Sequence, residues 1–385
     1  MPRRVRSPTV RILHLTSGAK WTGPAAVAVA QVAALRDSGI EAEIAIAGGS
    51  PLSRRLESEG WARPLLARGR RPKDFLQDVA RLHETLGREK FDLVQSHSSH
   101  DHLVACAALS AAPIPLVRSF HHAKAFRHFL ARWGRRRASG FAFSSAALQE
   151  TFAVRFSPRA PCARFSPVVD PDTFGPGPQG PDIRREFGVP ADAFVVGTIG
   201  KMAPGRGHDA AIRILAGTSE PAIALLQVGK GESKDRLWQL ARSLGVGERN
   251  FGTGYQEERL PAIYRAMDAF LFTAGGADQG HRAVLEAMAS GLPVVALDVP
   301  GIRDFDLLKG AGLVARSEGE ASHALDFLAT HPAERRAMGQ VARRIALRFS
   351  GPSFASAAAD FYGRVLDFWN KERPHRVTTR GEEHA

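Results

Sequence analysis

The segment DQGHRAVLEAMASGLPVVA occupies residues 278–296 and decides how the second half of the chain folds. It places two carboxylates, Asp278 and Glu286, eight positions apart, with Gly280 between them. A helix beginning just after Gly280 would direct free backbone N–H groups and its positive end at a ligand, which favours a phosphate. The neighbouring acids can accept hydrogen bonds from sugar hydroxyls. Residues 291–293 then break the helix before a buried strand, so the segment predicts an α/β unit that binds a sugar joined to a phosphate.

Short apolar strands alternate with helices on both sides of this segment. Such alternation predicts parallel, doubly wound sheets, which bind ligands at the carboxyl ends of their strands. The predicted strands are residues 10–15, 43–47, 92–96, 115–119, 140–144, 194–199, 223–228, 269–272 and 293–297. The predicted helices are residues 25–37, 75–86, 102–110, 209–216, 234–243 and 353–369.

A chain of 385 residues with 44% apolar content suits two domains. A passage rich in proline and glycine separates the two runs of alternating elements, and two α/β halves in tandem leave a cleft as the default ligand site. We therefore predict an N-terminal domain (1–165), a linker (166–190), a C-terminal domain (191–352), a helix crossing back to the N-terminal domain (353–369) and a disordered tail (370–385).

Cysteine content and hydropathy favour a soluble protein of the cytoplasm. Two cysteines, Cys106 and Cys162, cannot build a disulfide framework, and no zinc-ligand spacing is present. The apolar run after the basic N-terminus is broken by polar residues, which is not typical of a signal peptide. The longest uncharged apolar stretch near it, residues 103–117, contains two prolines and is too short to span a bilayer.

The net charge of +13 lies entirely in the first half of the chain. Residues 1–165 carry 26 Lys and Arg against 12 Asp and Glu. Within them, residues 120–137 predict a basic helix with one apolar face, formed by Phe126, Phe129, Leu130 and Trp133. Such a helix packs on its own domain or lies on an anionic membrane surface, and both interpretations stay open. The excess positive charge of the first half can also reflect an Arg-rich composition without a functional role. Nucleic-acid binding is disfavoured because no recognised module accompanies the charge.

A second glycine-rich segment, residues 200–209, follows a predicted strand and precedes a helix. Its glycines allow close approach of backbone to a ligand, and Lys201 and Arg206 supply two positive charges five positions apart. This arrangement suits a diphosphate, although a solvated turn of the same composition is as common.

The two segments together resemble the C-terminal half of glycosyltransferase family 4, a group of retaining, nucleotide-sugar-dependent enzymes with the GT-B fold. That family carries a basic Gly-rich turn followed by a Glu-x7-Glu motif and an Ala-Met-Ala-Ser-Gly-x-Pro-Val-Val run. Here Lys201 and Arg206 stand in reversed order, and Asp278 replaces the first Glu, which shortens its reach by one methylene. The N-terminal half matches the family more loosely than the C-terminal half.

The resemblance implies a GT-B architecture, with two Rossmann-like, doubly wound domains facing each other across a cleft. It also implies roles for individual residues. The catalytic set is His121, Asp278 and Glu286; the donor phosphate set is Lys201, Arg206, Gly23, Gly280, His281 and Arg282; the nucleotide set is Gly229, Gly254, Tyr255 and Glu286; Trp21, Thr22 and His97 line the cleft.

The implied function is a retaining transfer of a sugar, such as a hexose, from a nucleotide diphosphate sugar to an acceptor hydroxyl. The acceptor expected is a cell-envelope glycan or glycolipid, met in the cytoplasm with or without peripheral contact between the basic domain and an anionic membrane. No cofactor or metal is expected. The histidines at residues 97–102 and 121–122 also suit zinc or iron, or merely cap loops, and these alternatives stay open.

The sequence is also compatible with two other functions. A sugar-nucleotide epimerase of the same architecture would consume the donor without an acceptor. A catalytically silent nucleotide-sugar-binding protein is suggested by Asp278 in place of Glu.

Overall fold

The computed structural model describes residues 10–19, 24–67, 71–110, 112–122, 131–165, 167–177, 183–275, 281–299, 302 and 308–378. At residues 131–133, 257, 281 and 373–378 it describes the backbone alone. The chain divides into two compact units. The first unit comprises Met1–Val168 and Gly351–Ala385, and the second comprises Val169–Ser350. The boundary between Val168 and Val169 therefore lies inside the segment predicted as a linker, residues 166–190.

The first unit is a seven-stranded parallel sheet with helices between its strands. Its strands are β1 (Ile12–Thr16), β2 (Ala42–Ala47), β3 (Ala62–Leu66), β4 (Leu93–Ser96), β5 (Leu116–Phe120), β6 (Gly140–Phe143) and β7 (Cys162–Arg164), in the spatial order β3-β2-β1-β4-β5-β6-β7. Its helices are α1 (Pro24–Asp37), α2 (Pro51–Arg55), α3 (Pro72–Arg88), α4 (Ser99–Ala108), α5 (Ala131–Arg137) and α6 (Ala146–Phe156), and the last helix of the chain, Gly351–Thr378, joins them.

The second unit repeats this plan with six parallel strands. Its strands are β8 (Phe194–Ile199), β9 (Ile223–Val228), β10 (Asn250–Gly254), β11 (Ala269–Phe272), β12 (Val294–Leu297) and β13 (Gly312–Ala315), in the order β10-β9-β8-β11-β12-β13. Its helices are α7 (Ile183–Glu186), α8 (His208–Ala216), α9 (Lys234–Ser243), α10 (Leu260–Arg265), α11 (His281–Ala289), α12 (Glu318–Thr330) and α13 (Pro332–Ala346), with 3-10 turns at Gly247–Arg249, Glu257–Arg259 and Leu347–Phe349.

Both strand orders are those of the Rossmann fold, so the predicted pair of doubly wound sheets is confirmed. Central strands such as β1 and β9 are buried along their whole length, which explains their nearly continuous apolar sequences. The strand order reverses between β1 and β4 in the first sheet and between β8 and β11 in the second. Ligands of such sheets bind beside this reversal, at the carboxyl ends of the strands.

The final helix, α14 (Gly351–Thr378), packs on the first unit against α1. Its buried residues Phe354, Ala358, Phe361, Tyr362 and Val365 recur at the three- and four-residue spacing of one helix face. The helix runs through residue 378, which corrects the prediction that the chain is disordered from residue 370.

The predicted basic helix over residues 120–137 is wrong at its start, because Phe120 is the last residue of β5. Residues 123–130, which hold most of its predicted apolar face, lie outside the described residues. The part that the structure describes is α5, where Arg137 donates a hydrogen bond to the carbonyl of Leu109. In the described parts of the chain, no helix is both long enough and apolar enough to cross a bilayer.

Candidate functional site

Two glycine loops follow β8 and β9 and lie against each other at the carboxyl edge of the second sheet. The Met202 N–H donates to the Lys230 carbonyl (3.1 Å), and the Ser233 N–H donates to the Met202 carbonyl (3.0 Å). Gly229 has a φ of +148°, and a Cβ added there would collide with the carbonyl oxygen of Gly200. Only glycine fits at this position, so the loops present bare backbone at the sheet edge.

The two cations predicted to hold a diphosphate differ in their surroundings. Lys201 lies in the loop after β8, and its Nζ is 3.1 Å from a carboxylate oxygen of Glu232, with both side chains largely exposed. Exposed pairs of this kind contribute about 0–1 kcal/mol, so an anionic ligand can compete for the lysine. Arg206, in the same loop, has no ion pair with any described residue. Among the described residues, a neighbouring carboxylate thus compensates the charge of Lys201 but not that of Arg206.

The amino end of α8 is held against the end of β11, at the reversal of strand order. Gly207 caps the helix with a φ of +81°. The Thr273 hydroxyl donates a hydrogen bond to the Gly207 carbonyl at 2.8 Å, and a Cβ on Gly207 would collide with Thr273. The loop that carries Arg206 therefore ends in a fixed position.

Glu286, one turn into α11, is a buried and anchored carboxylate. Arg282 Nε donates to its Oε1 at 2.7 Å, and the Tyr264 hydroxyl donates to its Oε2 at 3.0 Å. Burial raises the pKa of Glu286, while the charge and hydrogen bond of Arg282 oppose that rise. Because a carboxylate oxygen accepts more than one hydrogen bond, the anchored group keeps capacity for a ligand hydroxyl. Tyr264 was not predicted as a site residue.

The structure also brings together the predicted residues Gly229, Gly254 and Tyr255. The Gly229 N–H donates to the Gly254 carbonyl at 2.9 Å, and Gly254 turns the chain with a φ of +71°. Tyr255 follows with 54% of its surface exposed, and Lys230 Nζ lies 4.8 Å from the centre of its ring. An exposed aromatic ring beside a cation can stack on a flat ligand ring.

Several predicted site residues lie outside the described part of the chain. These are Trp21, Thr22, Gly23, Asp278 and Gly280, and their roles stay predictions. His281 begins α11, but its side chain is likewise not described.

Three histidines form a buried row in the first unit. His14 Nδ1 lies 2.9 Å from His97 Nε2, and His97 Nδ1 lies 3.3 Å from His121 Nε2. Burial lowers the pKa of His14 and of His121 to about 3, and burial lowers the pKa of His97 well below its ordinary value, with the neighbouring histidines and Arg118 adding to that effect. All three imidazoles are therefore neutral at pH 7. His97 and His121 were predicted site residues, whereas His14 was not.

The remaining histidines of this edge have structural partners. The two ring nitrogens of His102 lie 2.9 Å from the Ser96 hydroxyl and 2.9 Å from the Gly134 carbonyl. His100 lies 3.6 Å from the buried carboxylate of Asp78. Over the residues described, no group of three or more His, Cys, Asp or Glu side chains is arranged to hold a metal ion. The expectation that the protein needs no metal stays a prediction.

Fold and site together define a class of protein with two Rossmann-like domains, of which the second carries a glycine-and-carboxylate edge suited to a nucleotide. Two family models match the chain in tandem: "Glycosyl transferase 4-like domain" over residues 22–167 and "Glycosyl transferases group 1" over residues 180–345. The chain belongs to the group 1 glycosyltransferases of the family-4 type, and its fold is GT-B.

Curated relatives agree with this family over part of their length. The chain is 33% identical over 218 residues to D-inositol 3-phosphate glycosyltransferase of Mycobacteroides abscessus, covering 54% of this chain and 48% of the relative. It is 33% identical over 209 residues to GDP-mannose-dependent alpha-(1-6)-phosphatidylinositol monomannoside mannosyltransferase of Mycolicibacterium smegmatis, covering 52% of this chain and 50% of the relative. The matches thus span about half the length of these curated relatives.

Among solved structures, HepE of Anabaena in complex with UDP superposes with a TM-score of 0.78 at 22% identity. The superposition covers 92% of this chain and 100% of the other. At this identity the likeness establishes the fold.

Proposed function

We propose that the protein is a glycosyltransferase that moves a sugar from a nucleotide diphosphate sugar to a hydroxyl of an acceptor. The observation that carries this proposal is the anchored carboxylate of Glu286, held by Arg282 and Tyr264 at the sheet edge where the glycine loops also end. A carboxylate whose orientation is fixed before binding loses little entropy when it accepts a hydroxyl hydrogen bond.

The described residues support one arrangement of the donor. Tyr255 offers an aromatic face to the base, Glu286 accepts from the ribose, and the backbone after β8 and β9 approaches the diphosphate. Lys201 and Arg206, with Arg282 and the amino end of α11, stabilise the negative charge that grows on the leaving diphosphate. Asp278 is proposed to accept from a hydroxyl of the donor sugar. These contacts supply orientation and charge stabilisation, which together are the main routes to catalysis at such a site.

The reaction is proposed to retain the configuration at the anomeric carbon. The acceptor hydroxyl attacks from the face that the diphosphate leaves, and a phosphate oxygen of the leaving group takes the acceptor proton. No side chain is assigned as a nucleophile. We further propose that basic side chains and helix amino ends, without a metal ion, hold the diphosphate.

The acceptor is proposed to be a phosphate-bearing glycan or glycolipid of the cell envelope. Two observations support this choice. The names of both curated relatives contain a phosphorylated inositol. Residues 1–165, which include the first-domain sheet, carry a net charge of +14, from 26 basic and 12 acidic residues. Such a charge attracts anionic acceptors and also anionic membrane surfaces, where a lipid-linked acceptor resides.

A transfer assay tests the proposal. The protein is incubated with UDP-, GDP- and ADP-sugars, with and without an inositol phosphate acceptor, and the sugar-bearing product is measured by mass spectrometry. We expect product only when the acceptor is present, and Glu286→Ala should lower its rate at least about 100-fold. The matched control is Glu334→Ala, which removes an exposed carboxylate of α13.

Other outcomes identify the alternatives. Conversion of a nucleotide sugar without any acceptor would indicate an epimerase. Tight binding of a donor without turnover over a broad acceptor panel would indicate a silent binding protein. An equal loss of rate in Glu286→Ala and Glu334→Ala would contradict the assigned site.

A further inference from the structure

The row formed by His14, His97 and His121 crosses three adjacent strands of the first sheet. His14 pairs with Gln95 in β4, and His97 lies two residues beyond Gln95. Gln95 in turn pairs with Val117 in β5, and His121 lies four residues beyond Val117. Each imidazole is therefore on the same face and two residues nearer the carboxyl edge than the one before. Neighbouring rings are stacked, with centroids 5.2 Å and 5.5 Å apart.

The number of protons in the row limits how its hydrogen bonds can run. A neutral imidazole has one N–H and one acceptor nitrogen. His97 uses both of its nitrogens, one toward each neighbour. If all three rings are neutral, both hydrogen bonds must point the same way along the row. The proton position on one ring therefore determines the proton positions on the other two.

The buried end of the row selects the direction. His14 Nε2 is buried and has no partner among the described residues. Buried N–H groups without an acceptor are rarer in proteins than buried acceptors without a donor. The proton of His14 is therefore on Nδ1, which donates to His97, and the Nδ1 of His97 donates to His121. His121 then carries its own proton on Nδ1.

The charged surroundings favour neutral rings. Arg118 is buried nearby, donates to the carbonyl of Ser98 and the hydroxyl of Ser99, and lowers the pKa of both His97 and His121, as His122 does for His121. Asp101, the acid on α4 beside this edge, accepts a hydrogen bond from the Ser17 N–H. None of the three histidines has an ion pair with a carboxylate in the part of the chain that the structure describes.

We propose that His14 and His97 are positioning residues that fix His121 as a neutral imidazole with its proton on Nδ1, ready to donate a hydrogen bond to a sugar oxygen. The identity of that oxygen rests on the proposed function, whereas the order of protons along the row does not. A fixed donor of this kind favours ligand oxygens that accept and disfavours ligand groups that can only donate.

Nitrogen NMR of the protein tests the row directly. The full chain is labelled with ¹⁵N, and long-range ¹H–¹⁵N correlations of the histidine rings are recorded at pH 7.5, with assignments from His14→Asn and His121→Asn. We expect Nδ1 to be protonated and Nε2 to be unprotonated in all three rings. A proton on Nε2 of His121, or two protons on any ring of the row, would overturn the proposal.

A matched pair of substitutions tests the consequence for turnover. His14→Asn keeps an N–H donor toward His97, and His14→Phe keeps a planar ring without one. We expect His14→Phe to mix the two proton positions of His121 and to lower kcat about tenfold, the effect of one lost hydrogen bond, while KM for the donor is unchanged. His14→Asn should stay within about twofold of the natural protein.

The two experiments separate two kinds of failure. Ordered protons in the NMR spectrum without transfer to any acceptor would contradict the proposed function and leave the order of the row intact. Mixed proton positions on the three histidines, together with active transfer, would contradict the proposed order of protons and leave the proposed function intact. Equal losses of kcat in His14→Asn and His14→Phe would also overturn the positioning role. If His14→Phe fails to fold, as judged by circular dichroism, the spectrum of the natural protein still decides.

Discussion

The two sheets share one strand order, but their carboxyl edges differ in chemistry. The edge of the first sheet is lined by buried, neutral imidazoles, represented by His14, His97 and His121. The edge of the second sheet combines bare glycine backbone with charged groups, above all Glu286 and Arg206. A neutral donor discriminates among uncharged oxygens, whereas backbone and cations suit a diphosphate. The comparison shows that two sheets with the same strand order can present different chemistry at equivalent edges, because the side chains there differ.

The largest expected difference between the units is their stability in acid. In the first unit, burial lowers the pKa of His14, His97, His102 and His121, whereas in the second unit His208 shows the same direction. Between the ordinary histidine pKa of about 6.5 and the lowered values, the unfolded chain binds more protons than the folded one. The contribution of these neutral histidines to the free energy of unfolding is therefore fully present above about pH 6.5. Below that pH, and down to the lowered pKa, each such histidine loses about 1.4 kcal/mol of this contribution per pH unit.

Hydrogen exchange measured by mass spectrometry at pH 7.5 and pH 5.5 checks this difference, after correction for the intrinsic exchange rate. We expect β1, β4 and β5 to lose far more protection than β8, β9 and β11. Burial also raises the pKa of the Asp78 carboxyl in the first unit and of the Glu286 carboxyl in the second, and a raised carboxyl pKa acts in the opposite direction to a lowered histidine pKa. Equal loss of protection in both sheets would contradict the difference between the edges.

A smaller effect is expected when a side chain is added to the glycine edge. Gly229→Ala places a Cβ against the carbonyl of Gly200 at a φ of +148° and should destabilise the protein by about 2–3 kcal/mol. The matched control is Gly245→Ala, which also has a positive φ but no atom within 4 Å of the added Cβ. Urea unfolding should show a loss of about 1 kcal/mol for the control, and nucleotide binding should weaken in Gly229→Ala alone.

The two cations of the loop after β8 should contribute unequally to binding. Arg206→Ala removes a charge that has no ion pair among the described residues, whereas a ligand must compete with Glu232 for the charge of Lys201. We expect the affinity for a nucleoside diphosphate to fall about tenfold in Arg206→Ala and about threefold in Lys201→Ala. Calorimetric titration with UDP and GDP measures both. A larger loss in Lys201→Ala would contradict this ranking.

The smallest effect is expected at the hydroxyl of Tyr264. Tyr264→Phe removes the hydroxyl that donates to Glu286 Oε2, which should weaken nucleoside diphosphate binding by about 0.5 kcal/mol while α11 keeps its place. The same titration measures it. A control is Tyr362→Phe, which removes a buried hydroxyl in the first unit that donates to Gln95. Equal effects of the two variants on nucleotide affinity would argue against a role for Tyr264 in the site.

Much of the second unit could be predicted from the sequence. Strands β8, β9 and β11 and helix α9 have the predicted bounds, because each is an uninterrupted apolar or amphipathic run between turn residues. Strands β10 and β13 of the second unit and strands β3 and β7 of the first unit were missed. Strand β3 is an edge strand that contains an arginine and a proline, and β7 has three residues, so neither shows a clear apolar alternation.

The site could be predicted only in part, for a physical reason. Gly229, Gly254 and Glu286 lie in short motifs whose chemistry is local. The contact between His14 and His97 joins residues 83 positions apart and depends on the register of β1 against β4. The hydrogen bond from Tyr264 to Glu286 depends in the same way on the packing of α10 against α11. Such partners follow from tertiary structure and leave no signal in spacing.

The most direct test is whether Glu286 recognises the ribose. Calorimetry compares UDP, or GDP if it binds more tightly, with its 2′,3′-dideoxy analogue in the natural protein and in Glu286→Gln. We predict that the natural protein prefers the ribose form about tenfold or more, and that Glu286→Gln loses most of this preference while still binding the diphosphate. An unchanged preference in Glu286→Gln would contradict the assignment of the second sheet's edge as the nucleotide-sugar site.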